Sequence, residues 1–233
     1  MMVRAFAELD WRAVKLVVFD VDGTLYRQRT LRLLMLRELL QHCVMTATTM
    51  PGRVLSTYRS IRETLADAEV EGFEPLLIAR TARETGCSHD TVESIVSEWI
   101  EHRPLRHLAS CRYPLLLELF SGFKLRGKII GVQSDYPARG KMHAIGLVPD
   151  YIVAAGDPEV GVLKPHPRGL QVLMAAAGVD PAATVVIGDR PERDGLAAAR
   201  AGTAVLIRSS KPIRGWHTFA DFDDPVFAPF LSS

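Results

Sequence analysis

This chain has little of what marks several large classes of protein. Its three cysteines are odd in number and lack the spacing of metal ligands, so we interpret them as the reduced thiols of a cytoplasmic protein. The seven histidines are scattered and form no metal-binding pattern. The formal net charge is +1 and no block of like charges occurs, so a nucleic-acid partner is not expected.

The sequence also shows no pattern typical of a signal peptide or of a membrane-spanning segment. Residues 1–11 carry two carboxylates and no apolar segment, which does not fit a signal peptide. The longest apolar stretch, residues 31–40, is interrupted by three charged residues and is too short to span a bilayer. We therefore expect a soluble cytoplasmic protein that does not enter a membrane.

The chain has enough apolar residues for a sizeable core, with 48% hydrophobic content in 233 residues. Apolar runs predict five strands, at residues 14–19, 128–133, 151–154, 184–187 and 204–207. Helical periodicity predicts helices between them, near residues 113–125, 137–145, 167–177 and 192–201. This alternation predicts an α/β fold, with a Rossmann-like parallel sheet and helices on both of its faces.

Residues 29–102 differ from the rest because they show no strand pattern and four successive helical patterns. Apolar stripes from Val54 to Leu65 and from Val92 to Ile100 have helical spacing and indicate packing within a helix bundle. Linkers are expected at residues 26–29 and 102–114. We predict an α/β core domain of residues 1–28 and 111–233 and an all-helical domain of residues 29–110.

Two carboxylates follow the first predicted strand directly. Asp20, Asp22 and Gly23 come where that buried strand reaches the carboxyl edge of the sheet, which is the edge where open α/β sheets bind ligands. Neighbouring carboxylates repel each other unless a cation or a proton lies between them. An ordinary strand with an Asp-Gly turn remains an alternative for this segment alone. An EF-hand loop is excluded, because Gly23 comes too early and Leu31 holds the closing position.

Three later segments also place a polar group after an apolar run. Ser134 follows the second strand, and its hydroxyl can both donate to and accept from a phosphoryl oxygen. Lys164 lies in a proline-rich loop before a helix. Asp189 follows Gly188 at the end of the fourth strand, and Asp194 comes about one helical turn later. Each segment alone fits an ordinary turn or a solvated side chain, but together they converge on one edge of the sheet.

With these residues the chain resembles the haloacid dehalogenase superfamily of phosphohydrolases, whose four ordered motifs match Asp20 to Thr24, Ser134, Lys164, and Gly188-Asp189 with Asp194. The resemblance implies that Asp20 is the nucleophile and forms an aspartyl-phosphate. It implies that Asp22 is a general acid and then a base, and that Thr24 helps to position the Asp22 side chain.

The same resemblance implies the binding groups. The phosphoryl group would be held by Ser134, Lys164 and Thr24. A Mg²⁺ ion would be held by Asp20, the backbone carbonyl of Asp22, Asp189 and Asp194, since hard oxygen ligands suit that ion. The helical insertion would be a cap that closes over the site.

Several questions stay open at this point. The first insertion helix, near residues 31–40, is apolar nearly all round, which indicates burial within the cap or against another chain. The chain could therefore be a monomer or a homodimer. Arg27, Arg29 and Arg32 are cap arginines that could face either ligand or solvent. Asp135 stands where the family often has asparagine or glycine, and the last motif is rich in arginine and glutamate.

Among the reactions of the family, the choice depends on which catalytic residues this sequence has and which it lacks. Dehalogenases of the family do not use a second aspartate at position 22, whereas a leaving alkoxide needs a proton donor there. As the resemblance implies, phosphonate cleavage in the family relies on a cap lysine that forms a Schiff base, and no lysine lies between Lys15 and Lys124. We therefore predict a phosphatase acting on a small phosphorylated metabolite. A sugar-phosphate mutase of the same family and a non-catalytic binding protein on the same fold are the alternatives.

Overall fold

The structure is a computed structural model that describes residues 9–231. Residues 1–8, which make up most of the segment examined above for a signal peptide, lie outside the described range. The centre of the fold is a six-stranded sheet in which all paired strands are parallel.

The strands confirm the five predicted ones and add a sixth. In chain order they are β1 (Leu16–Phe19), β2 (Ile129–Ser134), β3 (Tyr151–Ala154), β4 (Thr184–Gly188), β5 (Ala204–Arg208) and β6 (Thr218–Phe219). Their order across the sheet is β3-β2-β1-β4-β5-β6. The sixth strand was missed because two residues are too few to give a periodic pattern.

The helices are α1 (Gln28–Thr46), α2 (Met50–Asp67), α3 (Phe73–Thr85), α4 (His89–Val96), α5 (Leu105–Cys111), α6 (Leu116–Leu125), α7 (Arg139–Ile145), α8 (Arg168–Ala177), α9 (Leu196–Ala201) and α10 (Ala228–Leu231). A π-helical turn, Ser97–His102, continues α4, and another, Pro191–Gly195, leads into α9. Helices α6 and α7 pack on one face of the sheet, and α8 and α9 pack on the other.

Strand β1 explains this layering. Val17 and Phe19 belong to the hydrophobic cluster on one face, and Leu16 and Val18 belong to the cluster on the other. All four side chains are fully buried. A strand covered on both faces needs a continuous apolar run, and that is the pattern that predicted it.

Residues 28–111, here called the helical insertion, contain helices α1 to α5 and no strand. The two predicted apolar stripes meet in a hydrophobic cluster of their own, separate from the two sheet clusters. The predicted linker at residues 102–114 is wrong in part, because α5 occupies most of it and its Leu108 packs in a sheet cluster. The short apolar pattern of α5 was hidden between Pro104 and Pro114. The domain boundaries at 29 and 110 stay a prediction.

Strand register brings the motifs to one edge. Phe19 at the end of β1 is level with Val132 of β2 and Ile187 of β4. The residues that follow these three positions therefore emerge side by side at the carboxyl edge of the sheet.

Candidate active site

Lys164 lies between two carboxylates at this edge. Its Nζ donates to Asp20 Oδ1 at 2.5 Å and to Asp194 Oδ1 at 2.6 Å, and all three side chains are buried. Burial alone would lower the pKa of Lys164, but the charges of Asp194 and Asp20 outweigh burial and raise that pKa well above its usual value. A permanent cation therefore faces the carboxylate predicted to be the nucleophile.

Asp20, Asp189 and Asp194 form an acidic cluster whose potential ligand oxygens lie within 4.8 Å of one another. Burial and the neighbouring carboxylates raise the pKa of Asp20, and they raise the pKa of Asp189 to about 7. The Oδ1 atom of Asp189 is buried and has no hydrogen-bond partner within residues 9–231. Crowded, buried oxygens of this kind are those that a bound cation would stabilise.

Asp194 holds the loop that carries Asp189. Its Oδ2 accepts from the backbone N–H of Asp189 at 3.1 Å and from that of Arg190 at 3.0 Å. A Cβ atom on Gly188 would lie 2.4 Å from the Asp194 Cβ, so only glycine fits at that point. Asp194 thus closes a compact loop from Asp189 to Asp194 at the end of β4.

Thr24 is buried and donates its hydroxyl to Asp20 Oδ2 at 2.9 Å. The sequence analysis expected this side chain to position Asp22, and the structure places it on Asp20 instead. Together Thr24 and Lys164 contact the two oxygens of Asp20 and so set the plane of that carboxylate.

Asp22 has partners that the sequence analysis did not predict. Lys141 Nζ donates to both of its oxygens, at 2.7 and 2.8 Å, and the hydroxyl of Tyr26 donates to Oδ1. Burial raises the pKa of Asp22, but the charge and hydrogen bonds of Lys141 outweigh burial and lower it. A usable signal did exist: Lys141 is in the first turn of the helix that starts just after the Ser134 motif, and that turn lies at the same edge of the sheet.

Ser134 ends β2 and is 1% exposed, and its Oγ accepts from the backbone N–H of Tyr136 at 3.1 Å. The neighbouring Asp135 directs its Oδ1 to the backbone N–H of Lys164 at 3.1 Å. The unusual aspartate therefore fixes the loop that carries Lys164. Ser134 itself is not among the residues that line the cavity described next.

A cavity of about 790 Å³ lies between this edge and the helical insertion. Its core side contains Asp20, Asp22, Lys141, Lys164 and Asp189. Its other side consists mostly of apolar residues from α1, α2 and the π-helical turn after α4.

Of the three arginines that the sequence analysis placed at the cap, one lines the cavity and two do not. Arg32 lines the cavity, as do Arg59 and Arg62 of α2. Arg27 instead lies over the ring of Tyr113, 5.1 Å from its centroid. Arg29 is exposed and is not among the lining residues.

The insertion contacts the core through Arg62 and Glu63 of α2. Arg62 is buried, donates to the backbone oxygen of Asp135 and lies 4.0 Å from the centroid of the Tyr136 ring. Glu63 accepts from Arg190 at 3.2 and 3.3 Å and from Arg193 at 2.8 Å. The arginines of the last motif therefore connect the Asp189 loop to the insertion.

The family follows from comparison with known proteins. A model of haloacid dehalogenase-like hydrolases matches residues 14–202, which is most of the chain. The chain therefore belongs to the haloacid dehalogenase-like hydrolases and is an enzyme of the hydrolase class.

Individual relatives match the chain over most of their length. A phosphoglycolate phosphatase of Rhodospirillum rubrum is 25% identical over 232 residues, which cover 90% of this chain and 87% of the relative. A 2-haloacid dehalogenase of Pseudomonas syringae has a TM-score of 0.63 at 19% identity, with 92% of this chain and 98% of the other covered. The magnesium-bound HAD-hydrolase YfnB of Bacillus subtilis has a TM-score of 0.65 at 15% identity, with 91% and 96% covered. At such identities the two structures show the fold alone.

Within residues 9–231, no helix has both the length and the apolar character needed to cross a membrane.

Proposed function

We propose that this hydrolase is a Mg²⁺-dependent phosphatase that acts on a phosphorylated metabolite through an aspartyl-phosphate on Asp20. The observation that carries the proposal is the contact of Asp20 with Lys164 inside the acidic cluster, with a second carboxylate, Asp22, lining the same cavity. The name of the Rhodospirillum relative supports a phosphate ester as the substrate class.

The donor set fits Mg²⁺, because it consists of hard oxygen atoms and includes the unpartnered, buried Oδ1 of Asp189. Asp20, Asp189 and Asp194, with the backbone carbonyl of Asp22, would hold the ion. When bound, Mg²⁺ supplies positive charge that offsets the charge of the carboxylates and of the phosphoryl oxygens.

The first half of the reaction transfers the phosphoryl group to the enzyme. An oxygen of Asp20 attacks phosphorus, and the bond from phosphorus to the leaving oxygen breaks as the aspartyl-phosphate forms. Lys164 stabilises the phosphoryl oxygens, while Thr24 keeps the Asp20 carboxylate in plane. The Ser134 hydroxyl, which does not line the cavity, takes a place beside the phosphoryl group on the family resemblance alone. Asp22 delivers a proton to the leaving oxygen. Because Lys141 outweighs burial and lowers the pKa of Asp22 in the free enzyme, this role requires that the negative charge of the bound phosphoryl group raise that pKa again.

The second half regenerates Asp20. Asp22, now deprotonated, takes a proton from a water molecule, which attacks phosphorus and releases inorganic phosphate. Lys141 and Tyr26 hold the Asp22 carboxylate in place for both transfers. The helical insertion acts as the cap that excludes bulk water from the site.

The alternatives are less well supported. A sugar-phosphate mutase of this family usually uses basic cap residues that include lysine, and the chain has no lysine between Lys15 and Lys124. A binding protein that had lost catalysis would not need the full set of Asp20, Asp22 and Lys164 at one edge. The geometry favours hydrolysis.

The test is phosphate release from p-nitrophenyl phosphate by purified protein with Mg²⁺ and with excess chelator, and Asp20→Asn is the inactive control. We expect turnover that chelation abolishes and added Mg²⁺ restores. Undiminished turnover in chelator would contradict the metal assignment. Absence of turnover on a panel of phosphate esters with Mg²⁺ would contradict the phosphatase assignment.

A further inference from the structure

Helix α1 is apolar on more than one face, and the structure shows what one of those faces meets. Leu31, Met35 and Leu39 follow one another at four-residue spacing and line the cavity above the carboxylates. Leu33 and Val44 lie on other faces of the helix, are 68% and 81% exposed, and are not among the lining residues. One apolar stripe of α1 is therefore turned toward the candidate active site.

The rest of the cavity wall on this side includes further apolar residues beside the arginines Arg32, Arg59 and Arg62. Leu55 of α2 and Trp99 of the π-helical turn line it. Trp99 is held in place, because the guanidinium of Arg103 lies 4.1 Å from its ring centroid and the ring of His42 packs edge-on at 5.3 Å. We call Met35, Leu39, Leu55 and Trp99 the apolar roof.

The roof and the carboxylate floor give the cavity two chemically different sides. Its volume of about 790 Å³ falls in the range in which proteins bind drug-sized ligands, roughly 300–1,000 Å³. A two-carbon acid phosphate placed against Asp20 and Lys164 would leave the roof in contact with water, which is unfavourable for leucine, methionine and tryptophan side chains.

We infer, on the basis of the proposed phosphatase function, that the substrate is a phosphate monoester whose leaving group carries an extended apolar body. The phosphoryl group lies on Asp20 and Lys164, and the alkyl or aryl part of the leaving group lies against the apolar roof. Phosphoglycolate lacks such a body and is therefore a poor substrate for this enzyme.

A series of n-alkyl phosphates from ethyl to octyl, with Mg²⁺ and below their micelle concentrations, tests the inference. The leaving alcohols have similar acidity, so the change in kcat/KM along the series reports burial of the chain and not chemistry at phosphorus. Each buried methylene is expected to raise kcat/KM about four-fold until the roof is covered. Phosphoglycolate should be turned over less efficiently than hexyl phosphate.

Variants on one helix supply the matched control. Leu39→Asn places a polar group in the roof and should reduce the gain per methylene to less than about two-fold. Leu33→Asn makes the same change on the exposed face of α1 and should leave the gain as in the wild type. If Leu39→Asn does not fold, as judged by circular dichroism, Met35→Gln tests the same wall.

The outcomes separate the inference from the function on which it rests. The inference of an apolar leaving group would be wrong if the active enzyme had the same kcat/KM for ethyl and octyl phosphate, or if it preferred phosphoglycolate. The phosphatase assignment would stand in both cases. Equal effects of Leu39→Asn and Leu33→Asn would also overturn the apolar leaving group. No turnover of any ester in the series would count against the phosphatase assignment itself.

Discussion

At the scale of single residues, the acidic cluster depends on Gly23, because any side chain at this position would collide with Asp189. Gly23 has a φ of +102°, and a Cβ atom there would lie 2.1 Å from Asp189 Oδ2. Gly127 also has a positive φ, +69°, but a Cβ atom at that position would meet nothing within 4 Å. Both glycines adopt a left-handed backbone that disfavours a side chain, but only Gly23 also lacks the space for one.

We predict that Gly23→Ala displaces Asp189 and lowers both Mg²⁺ affinity and turnover, the latter by about 100-fold, because small misplacements in an active site have effects of that order. Gly127→Ala should lose only about 1 kcal/mol of stability from backbone strain and keep its activity. Titration calorimetry with Mg²⁺ and urea denaturation of both variants provide the measurement. Equal Mg²⁺ affinity in the two variants would contradict the role given to Gly23.

The two motif carboxylates should respond differently to substitution. Asp20→Asn removes the proposed nucleophile and should abolish turnover of every substrate. Asp22→Asn should keep metal binding and lose the proton transfer, which contributes roughly 10²–10⁴-fold. Aryl phosphates with good leaving groups should therefore suffer less than alkyl phosphates in the Asp22 variant. Equal losses for both substrate classes would show that Asp22 is not the acid.

At the scale of elements, α2 and the Asp189 loop are joined by ion pairs. Arg193 is 5% exposed and reaches Glu63 at 2.8 Å, Asp67 at 2.6 Å and the backbone oxygen of Lys164 at 3.3 Å. A buried arginine that contacts both the insertion and the Lys164 loop couples the position of the helical insertion to the geometry of the site.

We predict that Glu63→Gln loosens this connection, raises amide hydrogen exchange in residues 189–195 and lowers stability by about 0.5–1 kcal/mol. Glu98→Gln is the matched control, because Glu98 pairs with Arg103 at 2.6 Å wholly within the insertion. Exchange in residues 189–195 should be unchanged in the control. The prediction is wrong if the two variants exchange alike.

The same pairs give a pH dependence. Burial raises the pKa of Glu63, but its hydrogen bonds with Arg190 and Arg193 outweigh burial and lower that pKa below the usual 4.5. A lowered folded-state pKa stabilises the fold above 4.5 and loses that contribution as the pH falls through the folded-state value. Below this pH, wild type and Glu63→Gln should converge in stability.

At the scale of the whole molecule, the sheet and the insertion have separate hydrophobic clusters. From the core side of the described residues, the insertion cluster takes in Ala155 and Leu163 as buried members, and Tyr136 packs against it. In contrast, Leu108 of α5 and Leu31 in the first turn of α1 pack in a sheet cluster. A cut that begins after Leu31 and leaves α5 in place therefore disturbs the sheet least.

We predict that replacing residues 32–103 by a Gly/Ser linker leaves a folded core that turns over small activated aryl phosphates slowly. The preference for long alkyl phosphates should disappear, because the apolar roof is removed and its binding energy no longer orients the substrate. Circular dichroism and size-exclusion chromatography must first show a folded, monodisperse protein. A folded core that kept the alkyl-chain preference would show that the selectivity lies elsewhere.

The sequence by itself determined the sheet and the position of the site. Strand β1 is buried on both faces and therefore appears as a continuous apolar run, and the Asp20, Ser134 and Asp189 motifs each follow such a run. Since the carboxyl ends of parallel strands share one edge, Asp20, Ser134 and Asp189 could be placed there together from the sequence. The helical spacing of the insertion likewise depends on local periodicity alone.

Only the tertiary structure decided which side chains meet at that edge. Lys141 and Asp22 are separated by 119 positions, and their contact depends on how α7 packs against the sheet, which no local pattern encodes. Thr24 contacts Asp20 and not Asp22, and no local pattern encodes which of two neighbouring carboxylates a hydroxyl meets. The apolar stripe of α1 that faces the site was also undecidable from sequence, since an apolar face looks the same whether it meets a core, a partner or a cavity.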